Sequence, residues 1–194
     1  EVSLSDYAFA NVTNAPSTAG EYEFWNTFAD GATIAPGDVY IITHGNADSA
    51  IFALANQTHN FLSNGDDGYC LVYGTSDNYE ILDCIGDFYG DPGSGWDVAG
   101  VNNATADHVL VRKCDVTEGN DGNWSMSAGT NADDSEWEVL DDIFDGLGSH
   151  STVCPTEVLG CTTWARLYEP ELAAASSLLR RFGLGRWRGR EHLG

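Results

Sequence analysis

The chain has 194 residues, 42% of them hydrophobic, which suits one domain with a real core plus an appendage. Its 30 acids against 8 bases give a net charge of −22, and so acidic a chain repels phosphate backbones, which argues against nucleic acid as a partner. No run approaches 18 apolar residues, so membrane insertion is not expected, and the polar opening EVSLSD lacks a leader pattern.

Residues 1–150 read as all-β. EVSLSDYAFANV alternates around Val2, Leu4, Tyr7, Phe9 and Val12, with a slip near Asp6, and predicts the first strand. YEFWNTF and DVYIITH predict the next two. Ala47–Asn56 predicts one short helical turn. YCLVYG and YEILDCIGDFYG flank a turn at Thr75–Asn78 and predict a hairpin. HVLVRKC, NWSMSAG and SEWEVL complete seven or eight short strands. NAPSTAG, GNADS, NGDDG, GDPGSGW, TEGNDG and GTNADDS punctuate them at the spacing of a β-sandwich.

Residues 151–194 differ. Ser149–Gly160 reads as a linker, and Pro170–Phe182, stopped by Gly183, as a short helix. Pro170 sits in its first turn, and Arg180 and Arg181 lie near its C-terminus, where the macrodipole favours cations. Arg186, Arg188 and Arg190 follow. The charge is therefore split. Residues 1–161 hold 27 acids and two bases, Arg112 and Lys113, whereas residues 162–194 hold six Arg and three Glu.

The five cysteines, Cys70, Cys84, Cys114, Cys154 and Cys161, contain no CxxC pair, which speaks against a zinc ribbon or a thioredoxin-like site. Two disulfides and one free thiol is the simplest arithmetic, and fifteen pairings satisfy it. One pairing has a geometric argument: a hairpin centred on Asp77 sets Cys70 opposite Cys84, within reach of a cross-strand bond. The alternative is two reduced, buried thiols.

With this β pattern in place, several stretches resemble the lamin-tail domain, the small immunoglobulin-like sandwich of nuclear lamins and of many secreted bacterial proteins. The secreted branch is the closer match. Its aromatic-x-x-Asn-Gly-Asp-Asp turn before a hydrophobic strand is similar to Phe61–Val72. Its Asp-x-Ile-Gly followed by Asp-Pro-Gly and Trp is similar to Asp83–Trp96. Its His-x-Leu-x-Arg-Lys strand is similar to His108–Cys114. Its closing Glu-Trp and Leu-Gly-x-His are similar to Glu136-Trp137 and Leu147–His150. The four occur in the family's order over residues 30–150. The resemblance implies an immunoglobulin-like β-sandwich. Such domains open with two further strands before a Leu-Ser-x-Tyr strand, whereas this chain starts at Leu4-Ser5-Asp6-Tyr7. The expectation is an apolar cleft, to be filled by another chain unless front strands are simply unrecorded. In the tail, Gly160-Cys161-Thr162 with Tyr168 and Pro170 resembles the start of short Cys-containing repeats that follow these domains.

The acidic loops offer oxygen ligands but not calcium-loop spacing. Asp66 and Asp67 in NGDDG read as a turn rather than a metal site or a catalytic pair. Asp87, Asp91 and Asp97 read as turn residues around Trp96, and Asp133, Asp134 and Glu136 as a loop before a strand. His44, His59, His108, His150 and His192 form no HxH or HExxH, so no metal, cofactor or catalytic residue is expected. Arg112 and Lys113 are read as neutralising nearby acids on an edge strand. Asn11, Asn56, Asn103 and Asn123 open sequons and are glycosylation candidates.

The expectation is a secreted or cell-surface, non-catalytic structural or adhesive module. Its partners are other copies of itself, in an oligomer or filament completed by strand exchange. The exchanging segment carries Val2, Leu4, Tyr7 and Phe9, and the basic tail docks on the next acidic body. The alternatives are an accessory or targeting domain of a larger secreted hydrolase or nuclease, and a glycan-binding module using its aromatic residues.

Overall fold

A computed structural model describes residues 1–141 and 146–154. It is built largely of strands: β1 (Val2–Ser3), β2 (Tyr7–Val12), β3 (Phe24–Thr27), β4 (Thr33–Ile34), β5 (Ile42–Thr43), β6 (Gln57–Thr58), β7 (Gly68–Thr75), β8 (Asn78–Ile85), β9 (Val109–Arg112) and β10 (Trp137–Leu140). Two short helices interrupt them, α1 (Ser49–Phe52) and α2 (Trp124–Ala128). The all-β expectation holds at this level, and α1 falls inside the expected turn at Ala47–Asn56. No helix among the described residues is long and apolar enough to cross a membrane.

The main sheet has the order β3-β2-β7-β8, antiparallel throughout. Strand β2 lies inside it, and both of its faces are buried. On one face Ala8, Ala10 and Val12 pack with Cys70, Val72, Cys84 and Phe88 under a lid of Tyr22, Trp25, Tyr79 and Ile81. On the other, Phe9 joins Leu4, Phe28, Tyr40, Ile42 and Tyr69. The N-terminal segment therefore lies in its own body. Val2 pairs Ile34, Leu4 is buried, Tyr7 pairs Tyr73 on β7, and Phe9 is held between β3 and β7. The open cleft expected beside this strand is filled by the chain's own side chains, because the β3 segment supplies the neighbouring strand. Smaller pairs, β1–β4, β9–β10 and the parallel β5–β6, surround the sheet.

The hairpin β7–β8 carries an irregularity that matters. From its two-residue turn the register runs Thr75↔Asn78 to Val72↔Ile81, then resumes at Leu71↔Asp83 and Cys70↔Cys84. Leu82 is the extra residue of a β-bulge. Side chains alternate faces along a strand, so one inserted residue exchanges the faces of everything beyond it. The bulge turns Cys84 toward Cys70 and Asp83 toward the opposite face. The Cys70–Cys84 bond forms with Cα atoms 4.1 Å apart, as a non-hydrogen-bonded antiparallel pair allows. Closing so short a loop is worth about 3 kcal/mol in the chain-entropy model. A second bond joins Cys114 to Cys154. Cys161 lies outside the described residues, as do the proposed helix 170–182 and Arg180, Arg181, Arg186, Arg188 and Arg190.

One element departs from its sequence reading. NWSMSAG, expected as a strand, forms α2. Its alternating pattern would place Trp124, Met126 and Ala128 on one face. Instead Trp124, Ser127 and Ala128 are buried, the i, i+3, i+4 stripe of a helix, and Met126 is 50% exposed. Gly129, at φ 65°, ends it in a conformation that glycine adopts without a Cβ clash.

The bulge is open to direct test. Deleting Leu82 should restore simple register with Cys70 still opposite Cys84, so the bond should persist, while loss of the carbonyl that the Asp121 N–H bonds should lower the urea unfolding midpoint. Leu82→Ala, which keeps the extra residue, should leave the bond intact in non-reducing peptide maps.

Candidate functional site

Three groupings of polar and aromatic side chains stand out. The first is a buried charge knot. Arg112, on β9, is 4% exposed. Its Nη1 donates to both Asp83 oxygens at 3.0 and 3.1 Å, and its Nη2 donates to Glu136 Oε2 at 2.7 Å and to the Glu118 carbonyl at 3.3 Å. The guanidinium also lies 4.6 Å over the Trp137 ring. Asn120 completes the knot from the 118–122 loop. Its backbone N–H donates to Asp83, its Oδ1 accepts from the Cys84 N–H, and its Nδ2 donates to the Cys84 carbonyl. Ser127 Oγ donates to Glu136 and accepts from Trp137 Nε1. The sequence reading of Arg112 as a neutraliser of acids on an edge strand holds, since β9 pairs β10 alone among the described strands, and its side chain is buried there. Burial pushes the Asp83 carboxyl up, while Arg112, Asn120 and Cys84 pull it down, and burial wins. A knot of this kind contributes little net stability, but breaking it from one side strands a buried charge.

The second grouping is the set of acidic loops. In NGDDG, Ser63 Oγ accepts from the Gly65 and Asp67 N–H groups, and Asp67 accepts from the Asn14 N–H. Asp66 is buried beside it. Burial and the neighbouring Asp66 charge raise the Asp67 carboxyl against the lowering effect of Asn14. Asp87, Asp91 and Asp97 do not converge. Each caps its own turn, accepting from Tyr89 and Gly90, from Gly93, and from Asn103. Asp134 does the same for Thr130 and Asn131. Trp96 packs against the third core cluster, with Trp124 and Trp137. Glu23 is the strongest cap: its two oxygens take the N–H and hydroxyl of both Thr13 and Ser17, which lowers it to about 2. Among the described residues one set of side chains brings three metal-type ligands together, Cys114, Asp115 and Cys154. Sequence spacing gave no sign of it, because Cys154 is distant along the chain.

The third grouping is on the surface. Phe24, on edge strand β3, is 50% exposed, and Phe61 is 79% exposed. Both relate to the Phe9 face of the main sheet. Phe24 alternates onto it, and Phe61 reaches it through His59, whose ring lies 5.3 Å from Phe9 and 5.9 Å from Phe61. Burial, then the nearby His44, holds His59 below its ordinary range. On the other face Tyr22, Trp25 and Tyr79 meet at centroid distances of 5.3 to 5.6 Å, tilted by 53° to 71°.

The sequons separate by burial. Asn56, Asn103 and Asn123 are exposed. Asn11 is not available: it is 3% exposed inside β2, and its Oδ1 accepts from Asn26 Nδ2. The sequon pattern reads as a surface loop, but this Asn occupies a strand flanked on both sides.

Arg112→Met should destabilise the fold by about 3–5 kcal/mol in urea unfolding, since Asp83 and Glu136 lose their common partner. Adding Asp83→Asn should recover part of that loss. The Glu23 contribution has a defined pH window. Its folded value lies below the ordinary 4.5, so its stabilisation is complete above about 4.5 and is lost as pH falls toward 2. The gap in unfolding midpoint between the parent protein and Glu23→Gln should shrink over that interval.

Comparison of the chain with protein-family models, with curated proteins and with solved structures found no match.

Proposed function

We propose that this chain is a non-catalytic, extracellular structural or adhesive module on a lamin-tail-like immunoglobulin sandwich, and that it works by contact with other copies of itself. The observation that carries this reading is the exposed pair Phe24 and Phe61, on one face of the sheet beside edge strand β3. Exposed aromatic residues next to an open strand edge suit protein contact. The partner surface is the Arg-rich C-terminal segment of a neighbouring copy, whose Arg180, Arg181, Arg186, Arg188 and Arg190 oppose the acidic body. Two disulfides fit an oxidising, secreted setting.

Exchange of the N-terminal segment has less support. Phe9 already pairs on both sides within its own sheet and Tyr7 pairs with β7, so donating them requires the donor to open. A glycan-binding role rests on Tyr22, Trp25 and Tyr79, but rings tilted so steeply offer edges rather than a flat stacking plane.

Sedimentation of the intact protein at micromolar concentration tests the reading. Assembly should appear at low salt and weaken at high salt. It should be lost on removing residues 162–194 and in Phe24→Ser/Phe61→Ser. A stable monomer at low salt, or assembly indifferent to both changes, overturns it.

A further inference from the structure

We propose that Cys114, Asp115 and Cys154 form a binding site for one soft divalent cation of the zinc or cadmium type whenever the Cys114–Cys154 bond is reduced. The ligand atoms of the three residues all lie within 4.8 Å of one another. One ion bonded to thiolate at about 2.3 Å and to carboxylate at about 2.1 Å spans a set of that size. The Cα atoms of the two cysteines are 5.1 Å apart, so their sulfurs can draw apart to flank an ion with little backbone movement.

The neighbouring chain holds the donors in place. Cys114 follows Lys113, the first residue past β9, whose N–H donates to the Glu136 carbonyl and whose Nζ bonds the Ala132 and Ser135 carbonyls. The Val116 N–H returns to the Lys113 carbonyl, and this turn presents Cys114 and Asp115 side by side. Cys154 arrives from the far end of the described chain. Two thiolates with one carboxylate favour zinc or cadmium over calcium or magnesium, and water completes a tetrahedral set.

Access separates the two disulfides. Cys70 and Cys84 are buried at 1% and 2% exposure, whereas Asp115 is exposed and Cys114 and Cys154 are each at least partly exposed. A small dithiol therefore reaches the second bond first. It donates two electrons and closes to its own disulfide, while Cys114 and Cys154 each gain a proton. The ion then binds both sulfurs as thiolates and releases those two protons. The link between residue 154 and the end of β9 thus has two chemical forms, sulfur to sulfur and sulfur to metal to sulfur.

The test uses the full chain carrying Cys161→Ser, which removes the third thiol outside the pair. After anaerobic reduction with a dithiol and removal of the reagent, two thiols per chain should react with a thiol probe. Cadmium should then raise a thiolate–cadmium charge-transfer band that saturates at one ion per chain. Unreduced protein and Cys154→Ser should show no such one-equivalent band. Loss of a second-sphere partner already weakens metal sites by about tenfold or more, so Asp115→Asn should weaken binding at least that much. Equal affinity in Asp115→Asn, a band that fails to saturate at one equivalent, or four reactive thiols after the same reduction would each overturn the proposal.

Discussion

One inserted residue, Leu82, decides how the two halves of this body meet. Up to Ile81 the hairpin keeps simple register with its turn, and beyond Leu82 the faces of β8 exchange. Cys84 then closes the disulfide on one side of the sheet and Asp83 meets Arg112 on the other. The 118–122 loop follows the distortion. The Asp121 N–H bonds the Leu82 carbonyl, and a side chain at Gly119 would collide with that carbonyl. Asn120 occupies the edge at Cys84 as an added strand would, pairing with both its N–H and its C=O. The bulge thereby covers its own edge, a common way for sheets to avoid unwanted pairing.

The charge knot extends that single shift through the rest of the fold. Arg112 joins β8 to β9 through Asp83 and to the start of β10 through Glu136, while Ser127 brings in α2. Each partner is on a different element, so satisfying the guanidinium fixes four pieces of chain relative to one another. Its value is specificity of arrangement more than net free energy. The three clustered tryptophans, Trp96, Trp124 and Trp137, fill the space beneath.

What could be read from the sequence was local. Alternation in YAFANV and CLVYG marked strands, and Ser and Asp beside Gly marked capped turns, because those signals act over a few residues. The Cys70–Cys84 pairing was legible because a short hairpin leaves little freedom. Other features depended on distant neighbours. Nothing in Leu82 itself announces a bulge. WSMSA alternates like a strand and was turned into a helix by burial of Trp124 and Ser127. Cys114 and Cys154 are 40 residues apart, and only the folded chain brings them and Asp115 together. That Arg112 neutralises acids was legible, but which acids was not, because its three acidic or carbonyl partners come from three other segments.

Asn11 sets a condition on how the protein is made. Its sequon is intact in the sequence, yet its side chain is enclosed between β3 and β7 in the folded state. An oligosaccharide can be attached there only while the strand is still unpaired, and a strand so decorated has no room to enter the sheet. In a cell that glycosylates nascent chains, pairing of β2 and transfer to Asn11 are competing events with opposite outcomes. The order of these events, rather than the number of sequons, determines what fraction of the chains reaches the native sheet.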